Sequence, residues 1–168
     1  MPAAVLVEPL DPSHLEELAA VLLEPAVYEH IEPVPPSRHD FLLRLRRALA
    51  GPPPNCLHEQ WLNFLLRDSE GAIVGRLEAT VHHGLAEVAF LIGSRYWGKG
   101  FGSAGLHWLH AELFRAAGVT DFWATTTPAN ERSRRLLERC GYGPSPLPDR
   151  PLYSYDAGDL VFNRRRAA

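Results

Sequence analysis

Residues Trp97 to Gly105 read W-G-K-G-F-G-S-A-G and offer the clearest chemistry in the chain. They lie between a strand-like run, Glu87 to Ile92, and a helix-like run that begins at the glycines. A glycine-rich turn that opens a helix gathers unpaired backbone N–H groups, and the positive end of the helix dipole adds to them. Such a turn attracts phosphate. Glycine suits the position because a side chain would hold the ligand away from the backbone. The segment therefore predicts a phosphorylated ligand at mid-chain.

The elements that must position this turn can be read on either side of it. Val5 to Val7 is a short strand-like start, and Asp11–Pro12–Ser13 opens a helix with Leu15, Leu18, Ala19 and Leu22 at helical spacing. Pro25 to Pro36 reads as irregular. Ser37 caps a second helix carrying Phe41, Leu42, Leu45 and Leu49, which Gly51 and three prolines stop. From Gln60 the period changes: Trp61 to Arg67, Ala72 to Val81 and Glu87 to Ile92 read as strands, joined by turns at Asp68 to Gly71 and at His83–Gly84. After the glycine turn a helix runs to about Ala117 and ends at Gly118. Asp121 to Thr126 is a strand, Asn130 caps a short helix that ends before Gly141, and Asp159 to Asn163 is a last strand. The order β–α–α–β–β–β–α–β–α–β is mixed α/β with an antiparallel meander at its centre.

Three patterns compete for the glycine turn. Gly93-S-R-Y-W-Gly98-Lys99 matches most of a nucleotide P-loop, but Gly100 stands where that loop needs Ser or Thr to hold magnesium. Gly100-F-Gly102-S-A-Gly105 matches the dinucleotide fingerprint G-x-G-x-x-G. However, several residues separate it from Ile92, and the nearest acid, Asp121, starts the next strand rather than ending it. The third pattern is strand, short loop, [R/Q]-x-x-G-x-[G/A], long helix, strand, Asn, short helix and Gly-aromatic. Two separated pieces carry it: E-V-A-F-L-I-G-S-R-Y-W-G-K-G-F-G-S from Glu87, and N-E-R-S-R-R-L-L-E-R-C-G-Y from Asn130. On these the chain resembles the GNAT superfamily of acyl-CoA-dependent N-acetyltransferases. The W-G-K-G form with a later N-x-x-S is similar to the branch of the ribosomal-protein N-terminal acetyltransferases. The family's Arg or Gln falls on Trp97, which leaves Lys99 and Arg95 as cations for phosphate.

The resemblance implies a GNAT fold over residues 1–168 as a single acyl-CoA N-acyltransferase domain, with a mixed sheet, splayed strands and flanking helices. It implies acetyl-CoA as co-substrate, its diphosphate on amides around Trp97, Gly98, Lys99, Gly100, Gly102 and Ser103. The pantetheine arm would lie along the Glu87–Ile92 strand, with Asn130 reaching it or acting as a plain N-cap. An N–H of Leu91 or Ile92 would stabilise the oxyanion. The reaction needs a neutral amine to attack a thioester carbonyl. Deprotonation at pH 7 costs an α-amine about 1.4 kcal/mol and a lysine roughly 4.6 kcal/mol, so a general base helps. Glu87 is the first candidate, by likeness to the histone-acetylating branch, and Glu78 the second. The family's tyrosine seven residues after the asparagine is Leu137 here, so Ser133 is the expected proton donor to the thiolate, with Tyr142 as an alternative. The segment from Tyr28 to Glu32 falls where the fold covers its acceptor, and Trp123 could line the acceptor pocket. The missing tyrosine motivates a rival reading, a non-catalytic acyl-CoA-binding module; a dinucleotide-binding oxidoreductase is more distant.

Composition bounds the partners. The chain has 168 residues, 46% hydrophobic and 22% charged, with net charge −3, which suits one globular domain and gives no reason to expect nucleic acid. No apolar run approaches a membrane span and no signal peptide is evident, so a cytoplasmic protein with reduced Cys56 and Cys140 is expected. His107 and His110 share a helical face and His82 adjoins His83. Neither pair has a third ligand at informative spacing, so no metal is expected and the histidines read as surface or groove residues. Arg164, Arg165 and Arg166 read as a solvated tail. The acceptor, a small-molecule amine or a protein N-terminus, is not legible, nor is the oligomeric state, for which a dimer, the common homo-oligomer, is the form to consider.

Overall fold

The computed structural model describes residues 3–166 and wraps them around a seven-stranded sheet. In chain order the elements are β1 (Val5–Pro9), α1 (Leu15–Leu22), α2 (Pro25–Tyr28), α3 (Arg38–Ala50), β2 (Gln60–Asp68), β3 (Ile73–His82), β4 (Leu85–Ile92), α4 (Phe101–Ala117), β5 (Asp121–Thr126), α5 (Glu131–Arg139), β6 (Gly143–Pro144) and β7 (Leu160–Arg165). The spatial order is β1-β2-β3-β4-β5-β7-β6, antiparallel throughout except for the β4–β5 pair.

The meander follows from its turns. Asp68 accepts the N–H groups of Glu70 and Ala72 and closes the β2–β3 turn. His83 and Gly84 both take positive φ, 47° and 75°. That is the two-residue geometry whose twist matches antiparallel strands. Gly75 lets β3 meet β4 closely: a Cβ there would lie 2.1 Å from the Leu91 carbonyl oxygen.

Apolar stripes decide which helix covers which face. Leu15, Leu18, Ala19 and Leu22 of α1 pack with Phe41, Leu42 and Leu45 of α3 against Leu65 and Ile73. On the opposite face Leu106, Leu109 and Leu113 of α4 and Leu137 of α5 meet Leu66, Leu77, Val88 and Phe122. Each such fully buried side chain contributes about 1.5–3 kcal/mol. Ser37 caps α3, its hydroxyl accepting the Asp40 N–H at 3.1 Å. Gly118 ends α4 in the left-handed conformation.

In its elements and core the structure departs from the sequence reading in four places. The irregular stretch after Pro25 contains the one-turn helix α2, and β6 is a two-residue strand too short to leave a period. The arginine run is not a solvated tail: Arg164 and Arg165 belong to β7, Arg164 contacts the His110 ring, and Arg166 stacks 3.8 Å over Phe114. Two histidines are core residues rather than surface ones. His82 is 1% exposed and His110 4%.

Candidate active site

The site is built on an interruption of the sheet. β4 and β5 pair only at Ala86–Phe122 and Glu87–Trp123. Beyond Glu87 the strands part, and the β5-facing edge of residues 88–92 is left without a strand partner. Gly93 donates its N–H to Val74 at 2.9 Å, and N–H direction alternates along a strand. The N–H groups of Phe90 and Ile92 therefore face the gap, while that of Leu91 points into the ladder with β3. This corrects one expectation: Leu91 borders the cavities, but its N–H is not available to an oxyanion.

The glycine turn stands at the end of this gap. Gly98 and Gly100 adopt left-handed φ of 72° and 85°, so the chain bends sharply before α4 begins. Gly102 permits α5 to approach, since a Cβ there would lie 3.0 Å from the Leu136 side chain. The preceding loop is tied down by Ser94, which donates its N–H and hydroxyl to the Glu24 carboxylate at 3.1 and 2.6 Å. Trp97 donates its indole N–H to the Ile92 carbonyl at 2.9 Å.

A cavity of about 320 Å³ lies over this turn. It gathers Leu91, Ile92, Trp97, Gly98, Gly100, Gly102, Ser103, Asn130 and Ser133, all singled out from the sequence. Lys99 and Arg95 do not line it; both are exposed and sit 6.0 and 5.3 Å from the Tyr96 ring. The cations that do line it are Arg132 and Arg139 of α5. With Leu136 they are spaced i, i+4, i+7, so a helical reading of that segment holds the signal for them.

A second cavity of about 470 Å³ opens on the α3 face and meets the first at Phe90, Leu91, Asn130 and Ser133. Asn130 caps α5, its side-chain oxygen accepting the Ser133 N–H at 3.3 Å, which leaves its NH2 for the cavities. Two ion pairs sit in the wall of the larger cavity. Arg44 bonds Glu32 at 2.6 Å, and Arg76 bonds Glu78 at 2.7 Å while also donating to Asn63 at 2.6 Å. Tyr28, between these pairs, has its hydroxyl pKa raised chiefly by burial. His30, Ile31 and Glu32 also line this cavity, as the covering segment was expected to, and Thr127 holds that segment through the His30 carbonyl at 2.7 Å. Ser154, Asp156 and Asp159 close the cavity from the loop before β7.

Glu87 is not open to either cavity. It is 6% exposed, and its carboxylate accepts from Ser154 N–H and hydroxyl at 2.9 and 2.6 Å, from Tyr153 N–H at 2.9 Å and from the His82 ring at 2.5 Å. Burial pushes its pKa up, but the bonds from Ser154, Tyr153 and His82 outweigh burial and hold it below the ordinary glutamate value. A carboxylate so bonded is a weak base with no free lone pair in the cleft. It anchors the loop that carries Ser154. Trp123 is likewise buried, packed with Leu85 and Val161 away from the cavity it was expected to line. Tyr142 is a core residue donating to or accepting from His110 at 2.6 Å, its pKa raised far by burial, and it does not line either cavity.

Among the described residues no group of three His, Cys, Asp or Glu side chains is arranged to hold a metal ion, and no helix is long and apolar enough to cross a membrane.

The sequence profile of the acetyltransferase (GNAT) domain matches residues 4–143. The chain belongs to the GNAT acetyltransferase family. Its α/β architecture is the GNAT fold. Solved GNAT structures superpose over nearly its full length. A GNAT acetyltransferase from Bacillus anthracis matches with TM-score 0.76 and 16% identity, covering 98% of this chain and 97% of that one. The aminoglycoside acetyltransferase AAC(6')-Ib with coenzyme A gives TM-score 0.73 and 18% identity over 97% and 95%. Spermidine N-acetyltransferase from Vibrio cholerae, in complex with CoA and spermine, gives 0.68 and 17% over 95% and 92%. At these identities the likeness is one of fold. The GNAT profile does not single out the ribosomal-protein branch, and no curated protein matches the sequence.

Proposed function

We propose that this GNAT protein transfers an acetyl group from acetyl-CoA to a primary amine by direct attack. One observation carries the reading: the gap between β4 and β5 joins two cavities, one over an amide-rich turn and one lined by ion pairs. The residues fit coenzyme A. Phosphate suits the N–H groups and dipole at the start of α4, and an amide-bearing arm suits the unpaired edge of residues 88–92. Bound there, acetyl-CoA would supply the acyl carbonyl at the junction of the cavities.

The chain's own groups then divide the work. The N–H of Phe90 or Ile92 donates to the developing oxyanion. Glu78, which lines the larger cavity with one oxygen on Arg76, takes the amine's proton directly or through water. This replaces Glu87 as the base. Ser133, at the junction of both cavities, gives a hydrogen bond or proton to the thiolate in place of the tyrosine that Leu137 supplants. Glu32, Glu78, Asp156 and Asp159 outnumber Arg44 and Arg76 around the acceptor cavity, which favours a cationic amine. Spermine, bound by one structural neighbour, and the aminoglycosides for which another is named are amines of that kind. A small-molecule amine is thus the first acceptor to test and a protein N-terminus the second.

The test is a panel of amines scored by thiol released from acetyl-CoA. Amine-dependent release that Glu78→Gln abolishes is expected. Tight acetyl-CoA binding with no release for any amine class would favour the binding-module reading instead.

A further inference from the structure

Trp97 stands where the family's Arg or Gln falls, and the two basic residues near it in sequence, Arg95 and Lys99, do not line the cavity. A guanidinium nevertheless stands over the turn. The Arg132 guanidinium carbon lies 3.2 Å from the centre of the Trp97 ring. The ring itself is held by its bond to the Ile92 carbonyl. Both residues line the cavity beside Gly98, Gly100, Gly102 and Ser103.

We propose that Arg132, stacked on Trp97, is the cation that grips the diphosphate of coenzyme A. The proposal rests on the reading of this cavity as the acetyl-CoA site. Stacking occupies the face of the guanidinium and leaves its in-plane N–H donors free, and that planar fork matches two phosphate oxygens. Arg134 and Arg139 do not contact an aromatic ring, whereas Arg135 is engaged by Glu131 at 2.6 Å. No carboxylate among the described residues forms an ion pair with Arg132. Burial lowers its pKa, with only a distant Glu29 acting the other way. It is a solvent-accessible charge with no carboxylate partner among the described residues, held on the Trp97 ring beside the glycine turn. Trp97 thus acts as a platform: it holds a charge of α5 at the cavity, which Lys99 of the turn does not line.

The experiment compares wild type with Arg132→Ala and Arg132→Gln by calorimetric titration of three ligands: coenzyme A, dephospho-coenzyme A, which lacks the 3′-phosphate, and pantetheine, which lacks every phosphate. Both variants should bind the first two about 10- to 100-fold more weakly, the range for a lost charged hydrogen-bond pair, and bind pantetheine as wild type does. Circular dichroism and melting temperature confirm folding, and Arg132→Gln, which keeps much of the stem, serves if the alanine variant does not fold. Unchanged affinity for coenzyme A would overturn the proposal. So would equal weakening of pantetheine, which signals general damage to the cavity, or weakening confined to coenzyme A, which moves Arg132 to the 3′-phosphate. If wild type bound none of the three ligands, the acetyl-CoA reading would fall. If wild type bound coenzyme A and both variants bound it equally, only the role of Arg132 would.

Discussion

Residues 85–87 and residues 89–92 belong to one strand yet have opposite surroundings. In the first half of β4, Leu85, Ala86 and Glu87 are buried; Ala86 and Glu87 pair with β5 while Glu87 is covered by the loop at Ser154. In the second half the partner strand has left, Ala89 is exposed, and Phe90, Leu91 and Ile92 border two cavities. The same backbone is structural until Glu87 and offers binding groups after it. A carboxylate's chemical role follows from which half it serves. Glu78 lies opposite Ala89, in the open half, and Glu87 lies opposite Thr80, in the closed one.

That contrast can be broken by exchanging the expected effects. Glu78→Gln should lower kcat by about 100-fold or more with acetyl-CoA affinity unchanged, the usual scale for removing a general base. Steady-state kinetics beside a titration of coenzyme A would show it. Glu87→Gln should leave kcat within a few-fold. It should destabilise the fold by about 1–3 kcal/mol, the scale for a disrupted buried charged bond, and raise the KM of the acceptor, because Ser154, Asp156 and Asp159 lose their anchor. If Glu87→Gln abolished turnover at full stability, the division of β4 would be wrong.

Acid stability sharpens the same division. Burial, then the charges of Arg164 and His107, lower the His110 pKa from 6.5 to about 3. A histidine held neutral in this way stabilises the fold above its unfolded value, and that contribution fades as pH drops from 6.5 toward 3. At pH 5 the loss is about 2 kcal/mol. Glu87, held below 4.5, contributes fully above that value and loses its contribution only as pH falls further through its folded pKa. Stability from denaturant unfolding should fall as pH drops below 6.5 and fall more steeply below 4.5, and Glu87→Gln should remove only the added steepness below 4.5. The smallest effect belongs to Ser133→Ala: a several-fold fall in kcat, about 1 kcal/mol, with α5 intact because the Asn130 cap uses the Ser133 backbone N–H rather than its hydroxyl.

Much of this was legible in the chain, and the reasons are local. The glycine turn is contiguous, so its φ values, the helix it opens and the amides it exposes are carried by neighbouring residues. The Asn130 and Ser37 caps and the Gly118 stop are likewise written within one helical turn. What escaped depends on distance. Nothing near Glu87 announces that Tyr153 and Ser154, more than sixty positions away, cover it. The β4–β5 separation begins one residue after Glu87, and no sequence period marks that point. Arg132 was overlooked because the cation was sought within the turn, although its i, i+4, i+7 stripe with Leu136 and Arg139 was readable.

The central claim is that the parted stretch of β4 receives an acyl thioester's amide-rich arm. A crystal structure of the protein soaked with coenzyme A tests it directly. The account predicts the diphosphate within hydrogen-bond reach of the amides of residues 98–103 and the pantetheine bonded to the edge of residues 88–92. A nucleotide bound elsewhere, or β5 zipped against β4 through Ile92, would contradict it.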